Sequence, residues 1–134
     1  EIANRCLTDD GMFLLHTIGN IKTNKTIDLW TDKYIFPNGM LPSVAQISKA
    51  IENLFIMEDL HSFGKDYDKT LMAWYANFEK NWYKIQNKYS ERFYRMWKYF
   101  LVSFAGSFRS GISNQLWQIV LSKNGMPGDY MSWR

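Results

Sequence analysis

Two consecutive helical patterns in the second half of the chain carry stripes of large aromatic side chains. Asp68 can cap the first helix and Ser90 the second, and the apolar residues that follow each cap recur every three or four positions. Stripes this wide must be buried against another layer of the fold, which argues against a disordered chain. The first stripe comprises Leu71, Trp74, Tyr75, Phe78, Trp82, Ile85 and Tyr89, and the second comprises Phe93, Met96, Trp97, Phe100, Leu101, Phe104 and Phe108.

Three short apolar runs supply strands for that layer. They extend from Met12 to Ile18, from Leu54 to Leu60 and from Leu116 to Ser122. Pro42 opens a helix between the first two runs, and the order strand, helix, strand, two helices, strand predicts the α/β class. The apolar face of that helix comprises Val44, Ile47, Ile51 and Leu54.

Composition bounds the remaining possibilities. The 134 residues fit one domain with a real core, and 17% of them are aromatic. The net charge of +3 suits an anionic lipid surface or weak nucleic-acid contact, and a solvated surface explains it equally well. Cys6 is the only cysteine, so no internal disulfide forms and we expect a reducing compartment. The longest apolar stretch, Tyr99 to Phe108, is too short to cross a bilayer.

The two ends of the chain differ in character. Glu1 to Leu7 has the pattern of the last turns of a helix, which Asp9, Asp10 and Gly11 then end. We therefore expect residues 1–134 to be a fragment, with the beginning of the sheet encoded upstream. Residues 124–134 lack periodicity and are expected to form a tail.

The first strand carries the main candidate site residue. His16 lies at the end of an apolar run and precedes Gly19, which predicts a parallel strand buried on both faces with the histidine at its carboxyl end. In α/β sheets, ligands bind beyond the carboxyl ends of such strands. A lone histidine at this position is also a common structural residue. Tyr67, between Asp66 and Asp68, is either a second site residue or the start of a helix.

A polar cluster on the second predicted strand indicates no particular chemistry. Glu58 and Asp59 are adjacent on a predicted strand and point to opposite faces, and with His61 they match no metal-binding spacing. We expect contacts with the following loop and no metal site. The segment Phe36–Gly39 has the chemistry of a turn and is a candidate rim of the active site.

Five strings resemble the carboxyl-terminal part of bacterial cyclopropane-fatty-acyl-phospholipid synthases. The similarity extends from about residue 7 to residue 122. The resemblance implies a Rossmann-like, S-adenosylmethionine-dependent methyltransferase fold, of which this chain holds the last three of seven strands in a mixed sheet, with the final strand antiparallel between the other two. The strings are FLLHTIG, KYIFPNGMLPSVAQI, MEDLHSFGKDYDKTLMAWY, YSERFYRMWKYF and QLWQIV.

The resemblance also implies a reaction and a site. A methyl group passes from S-adenosylmethionine to the cis double bond of a phospholipid acyl chain, and a bound bicarbonate then removes a proton to close the ring. The implied bicarbonate contacts are His16, the backbone N–H of Ile18 and Tyr67. A cysteine and a glutamate that complete the family's site belong upstream, so Cys6 is not that ligand. Some relatives carry a cysteine where this chain has Phe104.

The implied carbocation requires exclusion of water and shielding by groups that do not attack it. Aromatic ring faces suit this task, so the two helical stripes are either core or part of a tunnel. The chain lacks a glycine-rich strand-to-helix turn, and we expect tight S-adenosylmethionine binding to need upstream residues.

These features together predict a cytoplasmic enzyme at the inner face of the membrane, acting on phospholipid and not on nucleic acid. A fragment with an open sheet edge is expected to associate or to exchange elements with a second copy. The alternatives are a related methyltransferase with another acceptor, or a non-enzymatic module whose helices bind lipid or a partner helix.

Overall fold

The computed structural model describes residues 1–128 and 130–133. Helix α1 (Ile2–Cys6) precedes strand β1 (Met12–Asn20), and helices α2 (Leu29–Tyr34) and α3 (Val44–Ile51) lead to strand β2 (Ile56–Ser62). A 3₁₀ turn (Gly64–Asp66) then opens helix α4 (Tyr67–Ile85), which is followed by helix α5 (Glu91–Ser110) and strand β3 (Asn114–Ser122). The predicted α/β class is confirmed. The predicted tail includes Asp129 and Arg134, which lie outside the described residues, and its other residues form no helix or strand.

The sheet has the order β1-β3-β2, with β3 antiparallel to both neighbours. The last strand is therefore inserted between the other two, as the family resemblance implies. Strands β1 and β2 point the same way but do not pair. The parallel pairing of a mixed sheet is thus not formed within the described residues, and one edge of β1 is open.

Helices cover both faces of the sheet. On one face, Ile47 of α3 packs against Trp117, Ile119 and Leu121 of β3. On the other face, α4 and α5 pack against Leu116. The buried helical residues on this second face, which we call the α4–α5 face, are Leu71, Phe100, Leu101, Ala105 and Phe108.

Strand β1 differs from the predicted strand in length and burial. It continues to Asn20, so His16 lies in its middle and not at its carboxyl end. Met12 and Leu14 are about half exposed, at 49% and 56%, and His16 is exposed. The expectation of a strand buried on both faces is therefore wrong, because the α4–α5 core reaches Ile18 but leaves these side chains uncovered.

Two predicted starts are shifted by local backbone chemistry. Helix α3 begins at Val44 and not at Pro42, because Ser43 and Gln46 form a reciprocal capping box. Strand β2 begins at Ile56 and not at Leu54, since Asn53 takes a left-handed conformation with φ of 60° and the N–H groups of Leu54 and Phe55 both donate to the Ile51 carbonyl in a turn.

Of the caps predicted for the two long helices, one is confirmed and one is wrong. The Ser90 cap is confirmed, since its hydroxyl accepts a hydrogen bond from the Phe93 N–H at 3.2 Å. The Asp68 cap is wrong. Helix α4 starts at Tyr67, so Asp68 lies within its first turn, and the Asp68 carboxylate accepts two hydrogen bonds from Arg109 of α5, at 2.8 and 3.0 Å.

Candidate active site

A groove of about 900 Å³ opens on the α4–α5 face of the sheet. Its walls are mainly apolar, and they come from the end of β1, the segment after β1, and both long helices. This volume lies within the range of small-molecule sites, about 300–1,000 Å³. The aromatic residues of the wall are Trp30, Phe36, Tyr67, Trp74, Trp97, Tyr99, Phe100 and Phe104.

The segment between β1 and α3 forms one side of this groove. The predicted turn at Phe36–Gly39 is confirmed by a hydrogen bond from the Gly39 N–H to the Phe36 carbonyl, at 2.9 Å, and both residues line the groove. Trp30 and Thr31 of α2 line it as well. Trp30 and Thr31 were not among the predicted site residues, although the amphipathic pattern from Ile27 to Tyr34 indicates a helix with one side toward the core.

Tyr67 lies at the first position of α4 with its ring against the core. The ring centroid is 4.9 Å from that of Phe108 and 5.9 Å from that of Trp74. Burial raises the pKa of the Tyr67 phenol above its usual value of 10.0. The Tyr67 side chain lines the groove, and its hydroxyl is neutral. This hydroxyl has no hydrogen-bond partner among the described residues and can donate to a ligand.

The backbone N–H of Ile18 points away from β3. The Leu116 carbonyl accepts from the Phe63 N–H on the β2 side, so the polar backbone groups of Leu116 face β2. Ile18 is opposite Leu116 and therefore forms a non-hydrogen-bonded pair with it. The Asn20 N–H, which shares this direction, donates to the Pro42 carbonyl at 2.9 Å. The Ile18 amide is thus directed at the open edge of the sheet, although it lies within the strand and not beyond its end.

His16 has different neighbours from Tyr67. Its ring centroid is 5.7 Å from that of Phe63, and His61 approaches the same phenylalanine from β2 at 5.0 Å. Gln118 pairs with both histidines across the sheet, so the three polar residues form one cross-strand row.

The structure therefore unites the predicted site residues only in part. Ile18 and Tyr67 line the same groove, whereas His16 is not among the lining residues described. His16 is two residues from Ile18, so its side chain is on the same sheet face. Its neighbour Phe63 packs against the buried cluster that also contacts Tyr67.

In the polar cluster on β2, the Glu58 carboxylate bonds to the neighbouring strand β3. A bulge between Met57 and Asp59 displaces Glu58, whose carboxylate accepts a hydrogen bond from the Ser122 hydroxyl. Within residues 1–128 and 130–133, no group of three His, Cys, Asp or Glu side chains is arranged to hold a metal ion. Cys6 is exposed on α1, and Phe104 lines the groove.

Of the helices in the described part of the chain, none is both long and apolar enough to span a bilayer.

The fold and the groove define the class. The chain is similar to the cyclopropane synthase MmaA2 from Mycobacterium tuberculosis, with a TM-score of 0.79 and 24% identity over 90% of this chain and 47% of that one. It is also similar to the mycolic acid cyclopropane synthase CmaA1, solved in complex with SAH and CTAB, with a TM-score of 0.78 and 28% identity over 91% of this chain and 47% of that one. The architecture is that of the Rossmann-like methyltransferases.

The sequence comparisons identify the family. The profile of the mycolic acid cyclopropane synthetase family matches residues 1–119, and the chain belongs to this family. It is 54% identical to the cyclopropane-fatty-acyl-phospholipid synthase of Escherichia coli K12 over 122 residues, which are 91% of this chain and 32% of that enzyme. The chain thus spans about a third of the length of that relative.

Proposed function

We propose that this chain forms the acyl-binding and proton-abstracting part of a methyltransferase that makes cyclopropane fatty acids. The methyl donor would be S-adenosylmethionine and the acceptor the cis double bond of an unsaturated phospholipid acyl chain. The observation that carries the proposal is the aromatic groove beside Ile18 and Tyr67, in a chain 54% identical to a cyclopropane-fatty-acyl-phospholipid synthase.

The groove suits an acyl chain that becomes positively charged. An alkene is a weak nucleophile, and its methylation leaves a carbocation that water would destroy. Trp74, Trp97 and Phe104 offer ring faces, which attract positive charge without attacking it. The aromatic stripes would then serve as core and as channel wall at once, because Phe100 is buried in the core and also lines the groove.

Three donors are available for a small anion beside the groove. The Tyr67 hydroxyl and the Ile18 N–H have no partner among the described residues, and the His16 imidazole is exposed on the same sheet face. These donors fit bicarbonate, which would be the base that accepts a proton from the newly transferred methyl group, so that the electron pair of that C–H bond closes the ring. His16, the Ile18 amide and Tyr67 would hold and orient that base through charge-assisted hydrogen bonds.

The residues of this chain fit the acyl chain and the bicarbonate better than they fit the methyl donor. The sequence holds no glycine-rich strand-to-helix turn that would receive S-adenosylmethionine. We propose that residues 1–134 are the carboxyl-terminal portion of one methyltransferase domain, and that residues beyond this chain hold most of the donor. The single cysteine, Cys6, agrees with a cytoplasmic enzyme that meets its lipid at the inner face of the membrane.

Lipid analysis of cells that express the full-length protein tests this function. We expect monounsaturated phospholipid acyl chains to gain one methylene and to lose the double bond, as seen by mass spectrometry and ozonolysis. Cells expressing the Tyr67→Phe variant at the same level serve as the control and should gain much less.

Other outcomes would support other functions. A methyl branch, or methylation of a different acceptor, would favour a related methyltransferase. Unchanged lipids together with strong liposome binding would favour a non-enzymatic lipid-binding module.

A further inference from the structure

Positive charge is concentrated on the helical hairpin formed by the end of α4 and the start of α5. Residues 79–98 contain six basic and two acidic residues, whereas the rest of the chain contains ten basic and eleven acidic ones. The whole net positive charge of the chain is therefore carried by this hairpin. Such an asymmetry indicates an anionic partner for this one surface.

Part of this charge is not neutralised by neighbouring carboxylates. Arg95 lies 3.7 Å from Glu91, and Lys98 lies 3.6 Å from Glu79. In contrast, Lys80, Lys84 and Lys88 form no ion pair with any residue that the structure describes, and all three are exposed. Lys80 and Lys84 are four residues apart, so they project from the same side of α4, and Lys88 follows in the turn.

Aromatic side chains are interleaved with these lysines. Tyr83 is 65% exposed and Tyr89 is 47% exposed, and the ammonium of Lys84 lies 5.6 Å from the centroid of the Tyr83 ring. Basic residues next to exposed rings are typical of helices that lie in the interface of an anionic bilayer.

A row of rings connects this hairpin to the groove. The centroid of Tyr89 is 4.5 Å from that of Phe93, which is 5.8 Å from that of Trp97. Trp97 in turn is 5.2 Å from Phe100, and the last two rings both line the groove. One face of α5 therefore runs without a break from the exposed turn to the proposed acyl site.

We propose that this hairpin docks on an anionic phospholipid surface, with the lysines against headgroup phosphates and Tyr83 and Tyr89 in the interface. The proposal rests on the proposed function, because it names the surface through which the lipid substrate is approached. Docking here would bring the exposed end of the aromatic row to the membrane. Phosphate contacts would depend strongly on salt, since each lysine acts through electrostatic attraction.

Vesicle sedimentation of the full-length protein tests the proposal. The probe is vesicles of phosphatidylglycerol and phosphatidylcholine in equal parts, compared with pure phosphatidylcholine, at low and high salt. The variant is Lys84→Gln with Lys88→Gln. Its matched control is Arg5→Gln with Lys49→Gln, which removes the same charge from exposed sites on α1 and α3, where α3 packs on the opposite sheet face.

We expect the Lys84/Lys88 pair to weaken binding to anionic vesicles by at least about tenfold, because each basic residue near such a surface contributes roughly a fivefold gain in affinity. The control pair should change it by less than about twofold. Equal losses in both variants, or no loss in either, would overturn the proposal. Retained vesicle binding together with lost binding to a single-stranded RNA homopolymer would instead assign the patch to nucleic acid and also overturn it. Binding is scored without turnover, so a failure here is distinct from a failure to find cyclopropane lipids.

Discussion

Gly19 of β1 occupies a position where no side chain can fit. A Cβ added there would lie 2.0 Å from the Trp117 ring, and Trp117 is only 4% exposed, so the ring cannot move into solvent. We predict that Gly19→Ala lowers the free energy of unfolding by about 1–3 kcal/mol, as overpacking of a core does. Thermal or denaturant unfolding of the full-length protein measures this.

Gly106 provides the matched control for that substitution. It lies inside α5, and a Cβ added there would have no heavy atom within 4 Å. Gly106→Ala should therefore raise the free energy of unfolding by about 0.5–1 kcal/mol through its helix propensity. If Gly19→Ala leaves the free energy of unfolding unchanged or raises it, as Gly106→Ala should, close contact with Trp117 is not what requires glycine at position 19.

Substitutions of His16 and Tyr67 test the proposed contacts with the anion. In the full-length protein, we predict that His16→Ala and Tyr67→Phe each reduce turnover by more than about tenfold, because each removes a charge-assisted hydrogen bond worth roughly 1.5–3 kcal/mol. Added bicarbonate should partly restore the rate, measured as methyl transfer to a monounsaturated phospholipid. Wild-type rates in both variants would remove these residues from the mechanism.

The chemistry of single residues was easier to predict than their surroundings. The resemblance assigned roles to His16 and Tyr67, but the alternation of β1 alone did not indicate that His16 is exposed. That exposure depends on how far the α4–α5 core extends along the strand, which is a property of the packed molecule.

At the scale of helices and strands, a helix start could be predicted from the sequence where the capping side chain bonds to its own helix. The Ser90 hydroxyl bonds to a residue three positions later, and this cap was predicted correctly. Asp68 has the same capping chemistry, yet its carboxylate binds Arg109, 41 residues later in the chain. No local pattern reports such a distant competitor.

The Asp68–Arg109 pair predicts a pH-dependent stability. The hydrogen bond from Arg109 holds the pKa of Asp68 below its usual value of 3.8. Stability from the pair is therefore present above the unfolded-state pKa and is lost as the pH falls through the lower folded-state value. Arg109→Gln should lower the melting temperature near pH 6, and the difference from wild type should shrink as the pH drops below 3.8.

Arg95→Gln is the control for this pair. Arg95 makes one longer contact, at 3.7 Å, between two well-exposed side chains. Its loss should affect melting less than the loss of the two-bond Arg109 contact. A gap between Arg109→Gln and wild type that stays constant from pH 6 to pH 2 would contradict the assignment.

For the molecule as a whole, the class and the strand order were predictable and the groove was not. The order of strands and helices indicated an α/β fold, and the resemblance supplied the inserted antiparallel strand. The groove joins Ile18, Trp30 and Tyr67, which are brought together only by tertiary packing.

Cofactor binding tests the proposal that residues beyond this chain hold most of the S-adenosylmethionine. The chain has no glycine-rich turn for S-adenosylmethionine, so we predict that it does not bind this donor at micromolar concentrations. Isothermal calorimetry with S-adenosylmethionine measures this, with the full-length protein as the positive control. Micromolar binding by residues 1–134 alone would contradict the proposed division.

The central claim is that imidazole, phenol and main-chain amide converge on one small anion beside the acyl groove. A crystal structure of the full-length protein grown with bicarbonate tests it most directly. We predict that one bicarbonate lies within about 2.7–3.2 Å of the His16 ring nitrogen, the Ile18 amide nitrogen and the Tyr67 hydroxyl oxygen. An ordered site in which His16 and Tyr67 contact separate groups, with no shared anion, would contradict the claim.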